Sequence, residues 1–198
     1  MSMRQRLLKF RGGLFGDRRG VVTLELAMTL PVLGILLLGS VEFVTYSWAV
    51  GRVHDASATV GDLVSRNETI SETSIAQIFR AADVVIDGDQ SAGDDSTLSV
   101  TTTSAISCYC DDSETTLCYF TLWSHTYEVG TVANGASQGS AVTAIPSDLA
   151  QQENETIIYT TTTYEFSPDI NLVLPDTMMT MSDKSFFRPR KSDFVRHT

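Results

Sequence analysis

Apolar positions follow three different patterns along the chain. Residues 21–41, VVTLELAMTLPVLGILLLGSV, are apolar on every side and include one charge, Glu25. At about 1.5 Å rise per residue this run matches a hydrocarbon core of roughly 30 Å, which predicts a membrane-crossing helix. Apolar character continues through Gly39 and Ser40 into Phe43, Val44, Tyr46 and Trp48, the last placed as an interfacial anchor. A cleaved secretory signal also starts basic and turns apolar, but its apolar region is normally about 7–15 residues, shorter than this one.

The spacing then changes. Val53, Ala56, Val60, Leu63 and Val64 recur at intervals of three and four, so the helix is expected to run on to about Ser65 and to lay this stripe on a folded domain. Pro31 removes one hydrogen bond to the preceding turn and should bend the helix. Thr69-x-x-Glu72 reads as a capping box for a second, short helix carrying Ile75, Ile78, Phe79 and Ala82 on one side.

Beyond residue 95 the chain is rich in Thr, Val, Tyr and Phe. Segments 96–107, 118–129, 155–166 and 178–188 read as antiparallel strands, the first two forming a hairpin around loop 110–118. Segment 130–148, rich in Gly, Ser and Ala, is expected to be an exposed loop. The fold class is therefore α+β: a long N-terminal transmembrane helix, a short second helix and a small antiparallel sheet.

Charge gives the helix a direction. Arg4, Arg6, Lys9, Arg11, Arg18 and Arg19 outnumber Asp17 in residues 1–20, a net of +5 within a chain of net −10, which leaves −15 on the remainder. No Lys or Arg lies between Arg80 and Lys184. The positive-inside rule then expects residues 1–20 as a basic cytoplasmic leader, 21–48 as the span and 49–198 as an extracytoplasmic domain. So acidic a domain repels nucleic acid, and no nucleic-acid partner is expected.

Cys108, Cys110 and Cys118 cluster within eleven residues. Residues two apart on a strand share a face, so either Cys108 or Cys110 could pair with Cys118 across the hairpin, leaving one thiol over. Zinc ligation lacks the usual spacing and a fourth ligand, His125 being a remote candidate, so no metal is expected. Asp87-x-Asp89-x-Ser91, with Asp94 and Asp95, imitates the start of a calcium loop. Ala92 stands where the glycine belongs and Leu98 where the bidentate glutamate belongs, so a solvated acidic turn is the expectation. His54, His125 and His197 accompany no nucleophile motif, and there is no Gly-rich phosphate loop; neither an enzyme nor a cofactor is expected. Asn67-Glu-Thr69 and Asn154-Glu-Thr156 match glycosylation sequons, which would matter only in a eukaryotic lumen.

Glu25 is costly where it stands: a carboxylate in an apolar helix costs on the order of 2.5–3.5 kcal/mol, and is retained for a partner or a task. Snorkelling to the interface is the simpler alternative. Its spacing argues otherwise. Arg18-Arg19-Gly20 followed by Val21-Val22-Thr23-Leu24-Glu25 resembles the processing site of type IV prepilins and pseudopilins. The longer run RRGVVTLELAMTLPVLGILLLGSVEF, with Pro31 and Glu42, is similar to the TadE-like family of tight-adherence (type IVb) pilus-assembly pseudopilins. Tyr164-Glu165-Phe166-Ser167-Pro168 and Phe186-Phe187-Arg188-Pro189-Arg190 resemble segments that close many members.

That resemblance implies a pilin-like domain and cleavage between Gly20 and Val21 by a prepilin peptidase, with Glu25 as an assembly contact. It implies a bacterial inner-membrane protein whose partners are the major pilin, other minor pseudopilins, the inner-membrane assembly platform and the lipid bilayer, serving pilus biogenesis or adhesion. The alternative function is an uncleaved single-pass anchor for a binding or scaffolding module.

Overall fold

The computed structural model describes residues 20–87, 97–111, 116–128, 130–146, 149, 152–167, 174–175 and 178–198. Arg4, Arg6, Lys9, Arg11, Asp17, Arg18 and Arg19, the acidic turn at Asp89, Ser91, Ala92, Asp94 and Asp95, and Pro168 lie outside the described residues.

Helix α1, Val21–Ser65, is one uninterrupted α-helix that contains Pro31. Its 45 residues correspond to about 68 Å. The two halves of α1 meet different surroundings. Every residue from Val21 to Leu38, apart from Gly34, is exposed, whereas Val53, Ala56, Val60 and Val64 in the second half are buried. The expected stripe is therefore the core face, with Leu63 at its half-buried margin.

A two-residue strand β1, Thr69–Ile70, follows, and then helix α2, Glu72–Asp87. The expected capping box is corrected here. Thr69 is in an extended strand paired with Arg196, so it cannot cap a helix; Ser71 does, its Oγ accepting the Ser74 N–H at 3.3 Å. Ile75, Phe79, Ala82 and Ile86 give α2 a buried side, with Ile78 packed at its edge.

Strands β2 (Leu98–Tyr109), β3 (Leu117–Glu128), β4 (Thr131–Asn134), β5 (Thr156–Glu165) and β6 (Thr180–Phe187) form one antiparallel sheet in the order β4-β3-β2-β5-β6. β2 and β3 make the expected hairpin. Strand β7, Arg196–His197, runs parallel to β1 in a separate two-stranded pair. The α+β class is as the sequence predicts.

Period-two alternation divides the apolar strand residues between two cores. Val100, Trp123, Tyr127, Ile158 and Met181 join the stripes of α1 and α2. On the other side Ala105, Tyr119, Ile157 and Tyr159 pack with Ile145. The exposed loop expected over 130–148 is found only in part among the described residues for this reason. The second face of the sheet carries aromatic and branched side chains that need cover, and Ile145 supplies it at 5 % exposure, while β4 extends the sheet edge. Threonine runs are used as cross-strand hydroxyl pairs: Thr101 with Thr126 at 3.0 Å, Thr102 with Thr160 at 3.2 Å and Thr103 with Ser124 at 2.8 Å.

Candidate membrane-exit and assembly site

Gly20 is the N-cap residue of α1, with no side-chain cap, and Val21 is the first helical residue. Glu25 lies one turn further on, exposed, among exposed apolar neighbours, and has no partner among the described residues. Among those residues α1 is the one helix long and apolar enough to cross a membrane, and none of its apolar window is covered by the rest of the protein.

The second glutamate of the helix is treated differently. Glu42 is 3 % exposed, although Val41, Phe43 and Val44 beside it are open. The backbone N–H of Leu174 donates to Glu42 Oε1 at 3.1 Å, and four residues on, the Tyr46 ring meets Phe166 edge-on at 6.2 Å. A buried carboxylate needs such donors, because desolvation favours its neutral form unless hydrogen bonds compensate. Glu42 and Tyr46 thus mark where the domain first grips the helix, about 31 Å from Val21. Trp48, two residues later and 67 % exposed, stands at the same level.

The C-terminal segment closes on the other end of α1. A Cβ at Gly61 would fall 2.5 Å from Phe187 Cδ2, so glycine is what lets the helix approach β6 this closely. Alongside, Ser57 Oγ donates to Ser185 Oγ at 3.0 Å, and Ser185 Oγ donates to the Ser57 carbonyl at 2.8 Å. Asp62 receives Arg190 at 2.7 Å and Arg66 from its own helix, while the Arg190 N–H donates to the Ser65 carbonyl at 2.9 Å. Arg188 reaches the Leu149 carbonyl at 2.8 Å and Glu155 at 3.2 Å. The C-terminal motif is therefore in direct contact with the end of α1 that lies away from Gly20 and Glu25, more than a hundred residues earlier in sequence.

Residues 20–62 match the TadE-like protein family. The TadE-like match begins at the N-cap glycine and ends at Asp62, the residue that receives Arg190, so it covers the apolar half of α1 and the stripe that carries the domain. It agrees with the family resemblance read from the sequence and points to tight-adherence pilus assembly as the setting. The same match and the apolar helix point to membrane anchoring. No curated protein and no solved structure matches the chain.

The remaining sequence-derived candidates separate clearly. Cys110 and Cys118 stand at disulfide distance, 2.08 Å between sulfurs, and Cys108 is a half-buried free thiol whose residue is directly opposite Cys118 in the strand register. His125 is no partner for them: it lies seven residues along β3, about 23 Å away. Among the described residues no cluster of three or more His, Cys, Asp or Glu could hold a metal. Asn67 is occupied structurally, its side-chain amide donating to the Leu63 carbonyl at 2.8 Å as α1 ends. His54 pairs with Asp183 at 3.1 Å.

Sequence reasoning misses Gly61 and Asp62 as joints, and also the meeting of His125 with His197, whose rings are 4.4 Å apart. Nothing in local pattern announces these. Each depends on where residues 187–198 are laid.

Proposed function

We propose that the chain is a minor pseudopilin of a tight-adherence (type IVb) pilus or a related secretion assembly. It enters the bacterial inner membrane with residues 1–20 in the cytoplasm and its acidic domain in the periplasm, and prepilin peptidase cuts it between Gly20 and Val21. Residues 21–48 are the span, 49–198 the exported domain. The observation that carries this reading is that three boundaries fall on either side of Gly20: the basic block ends at Arg19, the family match starts at Gly20 and α1 starts at Val21.

Hydrolysis of that bond leaves an α-ammonium on Val21. Glu25 of a neighbouring subunit is placed to neutralise it as helices pack in the membrane, so that two charges costly in hydrocarbon offset one another. Exposure of Glu25 on an otherwise apolar surface supports a role between chains, in contrast to Glu42, which the chain's own backbone satisfies. The protein acts by packing rather than catalysis, with the major pilin, other minor pseudopilins and the assembly platform as partners.

The Glu25→Ala variant tests the reading in a strain that carries the assembly system. Normal membrane insertion with loss of co-purification with pilus components is expected. Full assembly by the variant would leave a plain anchor for a binding or scaffolding domain.

A further inference from the structure

Far from the membrane-exit site, the edge of the sheet opens beside the C-terminal strand. β4 pairs with β3 only from His125 to Glu128, with His125 opposite Asn134. The chain then turns away, the Gly135 N–H donating to the Ser124 carbonyl at 2.9 Å. A Cβ at Gly135 would lie 2.3 Å from Ser124 Oγ, so glycine permits this approach. The facing wall is β7 and the residues before it, fixed by the Trp123 indole N–H donating to the Val195 carbonyl at 2.7 Å. Between the walls is an open cavity of about 680 Å³, within the usual range for small-molecule sites.

His125 lines this cavity and is 3 % exposed. Its ring packs 4.4 Å from His197 and 5.7 Å from Trp123, yet its nitrogens make no hydrogen bond with any described residue. An imidazole on the wall of an open cavity can meet water or a ligand with its one donor and one acceptor. Burial, and then the neighbouring His197, hold its pKa below 6.5, so at neutral pH it offers one N–H and one lone pair rather than a charge.

The rim is mostly uncharged and bifunctional. Asn134, Gln138 and Ser137 are exposed and present amides and a hydroxyl, and Phe194 offers a ring face at 41 % exposure. Arg196 is the charged side chain on the wall, and its guanidinium lies over that ring at 5.3 Å. Among the described residues no second Arg or Lys lines the cavity, and the carboxylate of Glu72 acts on His125 from outside it. An anion would find one cation inside a domain of strong negative charge. A neutral molecule with several hydroxyls and an apolar face fits better.

We propose that this cavity binds a neutral sugar ring, its hydroxyls meeting His125, Asn134 and Gln138 and its C–H face lying against Phe194. Sugar binding of this kind is separate from the assembly role of α1 and would hold in an uncleaved anchor as well.

The test uses the full chain in phosphocholine micelles, which avoid sugar-headed detergent, with ¹⁵N-labelled histidine. Methyl β-galactoside, methyl α-glucoside and methyl β-N-acetylglucosaminide are titrated in turn, and inorganic phosphate separately. At least one glycoside should shift the His125 and His197 ring signals saturably. Asn134→Ala and Gln138→Ala, surface changes that leave both cores intact, should each weaken that binding roughly tenfold, the effect of about one lost hydrogen bond. No shift with any glycoside, a response to phosphate alone, or undiminished glycoside binding by both variants would overturn the assignment.

Discussion

Gly61 is a close approach of α1 to the sheet, and Phe187 fills the space its missing side chain leaves. Gly61→Val should therefore destabilise the domain by about 1–3 kcal/mol through overpacking, read as a lower denaturant midpoint in micelles. Tyr127 is a second sensitive position. Its hydroxyl donates to Asp83 from a buried site, and burial together with that bond pushes the phenol up to about 12. Tyr127→Phe leaves Asp83 without this donor and should cost about 1.5–3 kcal/mol, as expected for a hydrogen bond to a charged group. His125 sets a pH dependence. Its pKa in the fold is depressed by burial and by His197, against the opposing pull of Glu72, with Arg196 and His197 on the strand packed beside it. The unfolded chain then takes up this proton more readily than the folded one. Stability from this residue is present above pH 6.5 and lost as the pH falls below it. Melting curves between about pH 7.5 and 5 should fall more steeply for the wild type than for His125→Phe.

At the scale of elements, α1 serves two solvents. Its all-round apolar first half and its single buried stripe in the second half were both legible, because helical periodicity reports which surroundings a face will meet. The four long strands were legible to within two residues at each boundary, since Thr- and aromatic-rich runs fit a pleated surface. β1 and β7 were not. Two residues carry no period, and their parallel pairing joins positions 69 and 196. The cap at Ser71 was hidden for a related reason, as Thr69 offered a better motif and tertiary pairing took it away. The cysteines show where local pattern stops. Period two made Cys108 and Cys110 equivalent, and only the shape of the hairpin end brings Cys110 to Cys118. Non-reducing peptide mapping of oxidised protein should find Cys110 linked to Cys118 and Cys108 open to alkylation; a Cys108–Cys118 peptide would contradict the pairing. The joint between α1 and the C-terminal segment is testable in the same spirit. Asp62 and Arg190 are a partly exposed ion pair, so a double-mutant cycle with Asp62→Ala and Arg190→Ala should give a coupling of only about 0.2–1 kcal/mol. The Gly61–Phe187 contact, not the ion pair, dominates this junction.

Across the whole molecule, charge and hydropathy are sorted along the sequence: a basic block, an apolar helix half, then a domain without Lys or Arg between Arg80 and Lys184. The membrane-exit site was half legible from sequence. Glu25 and Gly20 stood out because a charge in an apolar run and a glycine after arginines are local signals. The burial of Glu42, with the Leu174 N–H on its carboxylate, depends on a residue 132 positions away in sequence and could be seen only in the fold. Removal of residues 1–20 would discard the block that sets orientation and leave a subunit of net charge −15 before counting its new α-ammonium. Intact-mass measurement and N-terminal sequencing of the protein isolated from a strain with its prepilin peptidase test this most directly. Val21 should be the first residue in such a strain and Met1 in a peptidase-deficient one; a chain that begins at Met1 in both would contradict the processing on which the pseudopilin account rests.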